Sequence, residues 1–266
     1  NANLLQAHGS KELIEKWVKP MRDGTFAGTM AMTEPGAGSG LGDLTTTAIK
    51  TEDGNYRISG SKIFISGGDH EYCDNFVHLV LVRIDGAPAG TKGISLCVVP
   101  KYRIIADGGL EPNGVVTAGD FQKMGQKGYC TTHLVFGENN DCRGWLVGEA
   151  NKGLKYMFQM MNEARIGVGM GATALGQAGY QASLAYALDR PQGRPVTRKD
   201  AKARQIPIIE HADIRRLLVA QKAAVEMAML TGNDADAEGY RKNMKSIEGN
   251  FDKLWKKNAY NSGQFN

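Results

Sequence analysis

Between residues 55 and 136 four segments have the apolar runs or alternation of β-strands, and no helix-period stretch lies between them. They are Asn55 to Ser66 (NYRISGSKIFIS), Phe76 to Ile84 (FVHLVLVRI), Gly93 to Pro100 (GISLCVVP) and Thr131 to Phe136 (TTHLVF), separated by Gly, Asp and Asn turns. Parallel neighbours need crossover connections, usually helical, and none are visible here. The spacing therefore predicts an antiparallel barrel or sandwich.

Helical texture flanks this block. Leu4, Leu5, Leu13, Ile14, Trp17 and Val18 fit helix interrupted at His8-Gly9-Ser10, with Ser10 able to cap the second piece and Pro20 expected to end it. Gly153 to Leu188 reads as one long helix, in which Gly167, Gly171, Ala174, Ala178 and Ala182 form a small-residue row suited to a close helix neighbour. After a break at Pro191 to Pro195 and a basic loop (Arg198, Lys199, Lys202, Arg204), a second helix is expected from about Ile209 to Leu230. Tyr240, Met244, Ile247, Phe251 and Leu254 then predict an amphipathic tail helix. The fold class is thus α+β and multidomain, with a middle β domain at 26–146 between helical segments at 1–25 and 147–266. The start, NANLLQAHGSKELIEKW, reads like the interior of a helix rather than a secretion signal, as though the chain were cut there.

A chain of 266 residues can bury roughly three quarters of its unfolded surface. Its 32 basic residues are scattered among 28 acidic ones, leaving a net charge of +4 and no phosphate-neutralising stripe. That argues against a nucleic-acid partner. No apolar run is long enough for a membrane span. Cys73, Cys97, Cys130 and Cys142 form no Cys-x-x-Cys pair and are too sparse for a disulfide framework, so they read as reduced thiols of a cytoplasmic protein.

The stretch MAMTEPGAGSGLGDL, residues 30 to 44, concentrates glycine between a hydrophobic lead-in and a threonine run. It fails the dinucleotide fingerprint, because Leu41 and Asp43 stand where the third glycine is needed, and a P-loop needs a Gly-Lys dipeptide that the chain lacks. Taken alone it is a glycine-rich β turn. His70-x-x-Cys73 and Cys130-x-x-His133 look superficially like metal ligands, but residues three apart at a strand start face opposite sides. A serine hydrolase would need a Gly-x-Ser-x-Gly elbow, and Gly38-Ser39-Gly40 does not fit one.

The whole string is more telling than its parts. Thr33-Glu-Pro-Gly-Ala-Gly-Ser39 is followed by Gly60-Ser-Lys-Ile-Phe-Ile-Ser-Gly-Gly68, then Lys123-Met-Gly-Gln, Val135-Phe136, Val147-Gly-Glu with Gly153-Leu154, Asn162-Glu-Ala-Arg165, and Tyr186-Ala-Leu-Asp-Arg190. In this order they resemble the acyl-CoA dehydrogenase family over about residues 1 to 228. Gln192-Gly-Arg-Pro195, with the basic insert before Pro207-Ile-Ile-Glu-His211, is similar to the longer branch that includes 3-methylmercaptopropionyl-CoA dehydrogenases.

The resemblance implies FAD as cofactor, an acyl-CoA substrate, an electron-transferring flavoprotein as redox partner and a homodimer or homotetramer, in the cytoplasm or, in a eukaryote, the mitochondrial matrix. By position it implies that Met30, Met32 and Thr33 meet the flavin's pyrimidine edge through backbone groups and a hydroxyl. Phe64 would pack on the ring face, where most members carry Trp, and Ser66 would lie near N5. Strand alternation puts Phe64 and Ser66 on one face. Ser39 would touch the cofactor and the pantetheine arm, Asn162 and Arg165 would line the CoA tunnel, and Arg190 would reach the flavin pyrophosphate of a neighbouring subunit with its planar guanidinium. Two positions depart from the family pattern: Gly40 stands for the usual Asp, and Ala212 for a flavin-binding Gln.

The implied reaction removes an α proton while the β hydrogen leaves as hydride, so a carboxylate must face the α carbon. None qualifies here. Ala164 occupies the place where one branch of the family carries its base, and Glu163 points about 100° away around a helix. Two functions stay open: FAD-dependent α,β-dehydrogenation of an acyl-CoA by a piece of a longer enzyme, or a non-catalytic flavin- or CoA-binding or structural chain.

Overall fold

The structure, a computed structural model, describes residues 1–195, 197, 200 and 202–230, apart from the side chain of Glu163. The chain divides into two compact units, Asn1–Glu163 and Ala164–Asn266.

The first unit opens with α1 (Ala2–His8), which stops at Gly9. Ser10 caps the next piece by accepting from Leu13 N at 3.3 Å, as its residue type predicts. From there α2 (Lys11–Leu13) passes through a π-helical turn at Ile14–Val18 into α3 (Lys19–Arg22). The helical path therefore runs through Pro20, against the expectation that it ends there. Pro20 sits in the first turn of α3, where a missing N–H is least costly.

Ten strands follow: β1 (Phe26–Ala31), β2 (Thr47–Lys50), β3 (Tyr56–Ser66), β4 (Asn75–Ile84), β5 (Ile94–Pro100), β6 (Tyr102–Ile104), β7 (Leu110–Pro112), β8 (Val115–Asp120), β9 (Thr131–Phe136) and β10 (Arg143–Leu146). The four strands legible in the sequence are β3, β4, β5 and β9. Because β2 pairs with both β3 and β4, the path β4, β5, β10, β3, β2 returns to β4 and closes a barrel. β1 extends it beside β4, while β9 and β8 extend it beyond β3; β6 and β7 form a separate hairpin. Two pairings, β1 with β4 and β2 with β4, are parallel, a departure from the purely antiparallel expectation. Intervening strands rather than helices supply those crossovers.

β4 and β5 are buried along almost their whole length, which is why they read as continuous apolar runs. One face, with Val77, Leu79, Leu81, Ile94, Leu96 and Val98, packs under Leu4, Leu5, Trp17 and Met157. The other, with Val80, Val82, Cys97 and Val99, meets Ile58, Ile65, Leu134 and Phe136 inside the barrel.

α4 (Gly153–Asp189) starts in the first unit, and its residues from Ala164 onward belong to the second. There α5 (Ala212–Leu230) follows a 3₁₀ turn at Ile208–Glu210. Val225 Cγ2 of α5 lies 3.2 Å from where a Cβ on Gly176 would sit. A Cβ built on Gly167 or Gly171 would meet nothing within 4 Å, so no helix closes on the two glycines of the small-residue row among the described residues. Arg198, Lys199 and the tail segment with Tyr240, Met244, Ile247, Phe251 and Leu254 lie outside the described residues. No described helix is long and apolar enough to cross a membrane.

Candidate functional site

β1 runs parallel to β4, with Met30 opposite Leu79, and the chain leaves the sheet after Ala31. Two residues later the Thr33 carbonyl accepts from Ile63 N at 2.9 Å, which ties the end of β1 to the middle of β3. Glu34 and Ala37 then exchange backbone bonds of 3.0 and 3.1 Å across Pro35-Gly36. The glycine-rich segment is thus a surface loop with a tight turn at its root.

Glu34 holds the neck of that loop. Its Oε2 accepts from Thr45 N (2.6 Å) and Thr45 Oγ1 (2.8 Å), and its Oε1 from Thr46 N (3.0 Å), Thr46 Oγ1 (2.6 Å) and Lys62 Nζ (2.8 Å). The threonine run after the glycines is therefore the far side of the neck. Lys62 is 0% exposed and Glu34 3%, and Lys62 Nζ also donates to the Met32 carbonyl at 3.1 Å. Burial pushes the Glu34 carboxyl up, but hydrogen bonds from Lys62 and Thr46, the Lys62 charge and the Thr45 amide outweigh it and hold the group at about 2. Burial pulls the Lys62 ammonium below its ordinary value against the pull of Glu34. At its far end the loop is anchored by Arg83, whose Nη2 donates to Gly42 O at 2.8 Å.

Between these anchors Gly36, Gly38, Ser39 and Gly40 are exposed, and nothing lies within 4 Å of a Cβ built on Gly36 or Gly38. The loop is stiff at its ends and open in its middle.

Across from it, β3 carries a bulge. Lys62 pairs with Leu134 and Ile65 with Thr132, so three steps on β3 match two on β9, and Phe64 takes φ +58°. Alternation without a bulge would put Phe64 and Ser66 on the face of Ile58 and Lys62, both buried. The extra residue changes the phase: Ile65 becomes the buried one, and Phe64 and Ser66 turn outward together. Phe64 is 57% exposed and meets the Phe121 ring at 4.5 Å.

The structure thus gathers Met32 and Thr33 with the bulge that presents Phe64 and Ser66. Ser39 lies on the anchored loop. Asn162 is an exposed position of α4 in the first unit, and Arg165 and Arg190 are exposed positions of the second. Ala164 is exposed as well. Sequence reasoning missed Glu34, Lys62, Arg83 and Phe121. The available signal was Lys62, a charge in the same alternation phase as the apolar Tyr56 and Ile58, with Glu34 of opposite sign in the glycine loop.

Of the weaker constellations, His70, Cys73 and Cys130 line one cavity with the Asp69–Lys101 ion pair, whereas His133 bonds Ser61 Oγ at 2.6 Å. Among the described residues no three His, Cys, Asp or Glu side chains are placed to hold a metal. All four cysteines are free.

The open loop, the outward aromatic and the neighbouring hydroxyls suit a flat heterocycle edged with donors and acceptors. Among the described residues the hydroxyls of Thr33, Ser39 and Ser66 have no hydrogen-bond partner, although Thr45, Thr46, Thr117 and Thr132 all do. Residues 29–138 match the family model "Acyl-CoA dehydrogenase, middle domain". The chain belongs to the acyl-CoA dehydrogenase family. It is 41% identical over 230 residues to a butyryl-CoA dehydrogenase of Syntrophomonas wolfei, covering 84% of this chain and 37% of that protein. It is 43% identical over 218 residues to 3-methylmercaptopropionyl-CoA dehydrogenase of Ruegeria pomeroyi, covering 80% and 36%. A crystal structure of an acyl-CoA dehydrogenase complexed with FAD from Bacillus anthracis superposes with a TM-score of 0.64 at 26% identity, over 85% of this chain and 34% of that one. The chain therefore spans less than two fifths of the length of these curated relatives.

Proposed function

We propose that this chain contributes the flavin- and thioester-binding part of an FAD-dependent acyl-CoA dehydrogenase, which desaturates an acyl-CoA between its α and β carbons. The observation that carries the reading is the Thr33–Ile63 junction, which sets the pyrimidine-edge candidates beside a bulge that turns Phe64 and Ser66 outward. Met30, Met32 and Thr33 would meet the ring edge, Phe64 would cover a face and Ser66 would hydrogen-bond the reactive side of the ring. Ser39, Asn162 and Arg165 would hold the CoA thioester, and Arg190 the pyrophosphate. Bound FAD would supply the two-electron acceptor that no side chain can provide.

The names of the relatives point to a short, straight or thioether acyl group, and the resemblance points to an electron-transferring flavoprotein as the oxidant of the reduced enzyme and to a homo-oligomer. The layout 1–25, 26–146 and 147–266 belongs to the same proposal.

Ala164 and Ala212 favour a second reading, a flavin- or CoA-binding chain that performs no proton abstraction. Anaerobic titration separates the two. The longer protein that carries this segment, reconstituted with FAD and freed of unbound flavin, is expected to show a band near 450 nm that bleaches on addition of butyryl-CoA. A band that persists leaves the second reading, and no band retained after unbound FAD is removed defeats the dehydrogenase reading and leaves a chain that binds CoA alone.

A further inference from the structure

Lys62 is a fully buried ammonium on the strand that carries Phe64 and Ser66, and its bonds divide between a carboxylate and a peptide. The peptide is the one joining Met32 to Thr33. Its carbonyl takes the ammonium at 3.1 Å, while the Thr33 N–H at its other end has no hydrogen-bond partner among the described residues. A cation on an amide oxygen draws electron density from the nitrogen and makes the N–H a stronger donor, and the effect is largest where water is excluded. Glu34 keeps the charge in place, since an unpaired ammonium at this depth would give up its proton. Glu34 is itself fixed by Thr45 and Thr46, so the ammonium has little freedom to drift from the carbonyl.

We infer that Lys62 is a positioning residue for the flavin edge: through the Met32–Thr33 peptide it polarises the Thr33 N–H, which then donates to a ring acceptor more strongly as negative charge builds on the ring. The inference rests on the flavin reading given above. It predicts that Lys62 favours reduced over oxidised FAD, an effect distinct from holding the loop together.

The test compares unsubstituted protein with Lys62→Met and Thr46→Val, reading FAD affinity by quenching of flavin fluorescence, the reduction potential of bound FAD by dye equilibration, and thermal unfolding. Lys62→Met is expected to lower the ratio of reduced to oxidised affinity about tenfold, which is about 30 mV for a two-electron couple. Thr46→Val loosens the same neck at Glu34 Oε1 and is expected to lower the unfolding temperature while leaving that ratio within twofold. Should Lys62→Met fail to fold, Lys62→Gln keeps a donor without the charge and is expected to show the same loss. A ratio unchanged in the Lys62 variants, or shifted equally by Thr46→Val, overturns the inference while the flavin reading stands. Unsubstituted protein that takes up no FAD overturns the flavin reading and this inference with it.

Discussion

Phe64 holds a left-handed backbone conformation that costs a bulky residue about 1–2 kcal/mol, and half of its ring faces solvent. Its contact with Phe121 returns only about 0.5–1.5 kcal/mol. Phe64→Gly is therefore expected to leave stability within about 1 kcal/mol of the parent, because lost ring contact and relieved strain offset each other. Phe64→Val, β-branched at positive φ, is expected to cost about 2 kcal/mol. Urea unfolding of the two variants decides: a loss of 3–5 kcal/mol for Phe64→Gly would mark an ordinary core aromatic instead. FAD affinity is expected to fall in both. Alternation puts Phe64 and Ser66 on a common face, as found, but it does not say that this face turns outward. Alternation sees residue type and spacing, whereas the bulge that turns them outward depends on how β3 pairs with β9, residues some seventy positions apart.

At the scale of the element, the loop from Glu34 to Thr46 combines a tied neck with a vacant crown. Gly60 shows how tightly the neck is packed: a Cβ there would sit 2.4 Å from Thr46 Oγ1 and 2.7 Å from Thr46 Cα, so neither rotation nor a small shift relieves it. Gly60→Ala is expected to destabilise by about 2–3 kcal/mol and to loosen the Thr46 bond to Glu34. Gly36 and Gly38 are the opposite case, with open space around them. Gly36→Ala and Gly38→Ala should leave thermal unfolding unchanged, yet weaken binding of FAD or an acyl-CoA about tenfold, since the new methyl occupies ligand space. Unaltered binding by both would mean that this crown is a plain surface turn. The glycines announced the loop in the sequence; of its neck the sequence held only two opposite charges, Glu34 and Lys62, 28 residues apart, and their pairing depends on the end of β1 meeting β3.

For the molecule as a whole, β3, β4, β5 and β9 were legible because two-sided burial or clear alternation writes itself into their residues. β1, β2, β8 and β10 are short or partly exposed, and the closure made through β2 and β10 is a property of pairing rather than of any segment. Two of the buried titratable groups, His78 and Glu34, make stability depend on acid pH. His78, fully buried on β4 with Nδ1 2.7 Å from Thr29 Oγ1, is pushed down to about 3 by burial, with Lys101 adding to the effect and Asp69 opposing it. The neutral form is the native one, so its contribution is complete above the unfolded value of 6.5 and is lost as pH falls from there toward 3. Glu34, held at about 2 against 4.5 unfolded, contributes fully above 4.5 and loses that contribution as pH falls toward 2. Each group gives a slope of at most about 1.4 kcal/mol per pH unit. Unfolding free energy measured in urea should therefore begin to decline below pH 6.5 with one proton's slope and steepen below pH 4.5. In Glu34→Gln the steepening should shrink by up to one proton's slope, with Asp69 and Asp141, also held below the usual carboxylate range by Lys101 and Arg143, keeping the remainder, while the decline from pH 6.5 is unchanged. A free energy that stays flat between pH 6.5 and 4.5 would mean that His78 is protonated in the folded barrel, and the buried neutral imidazole would have to be abandoned.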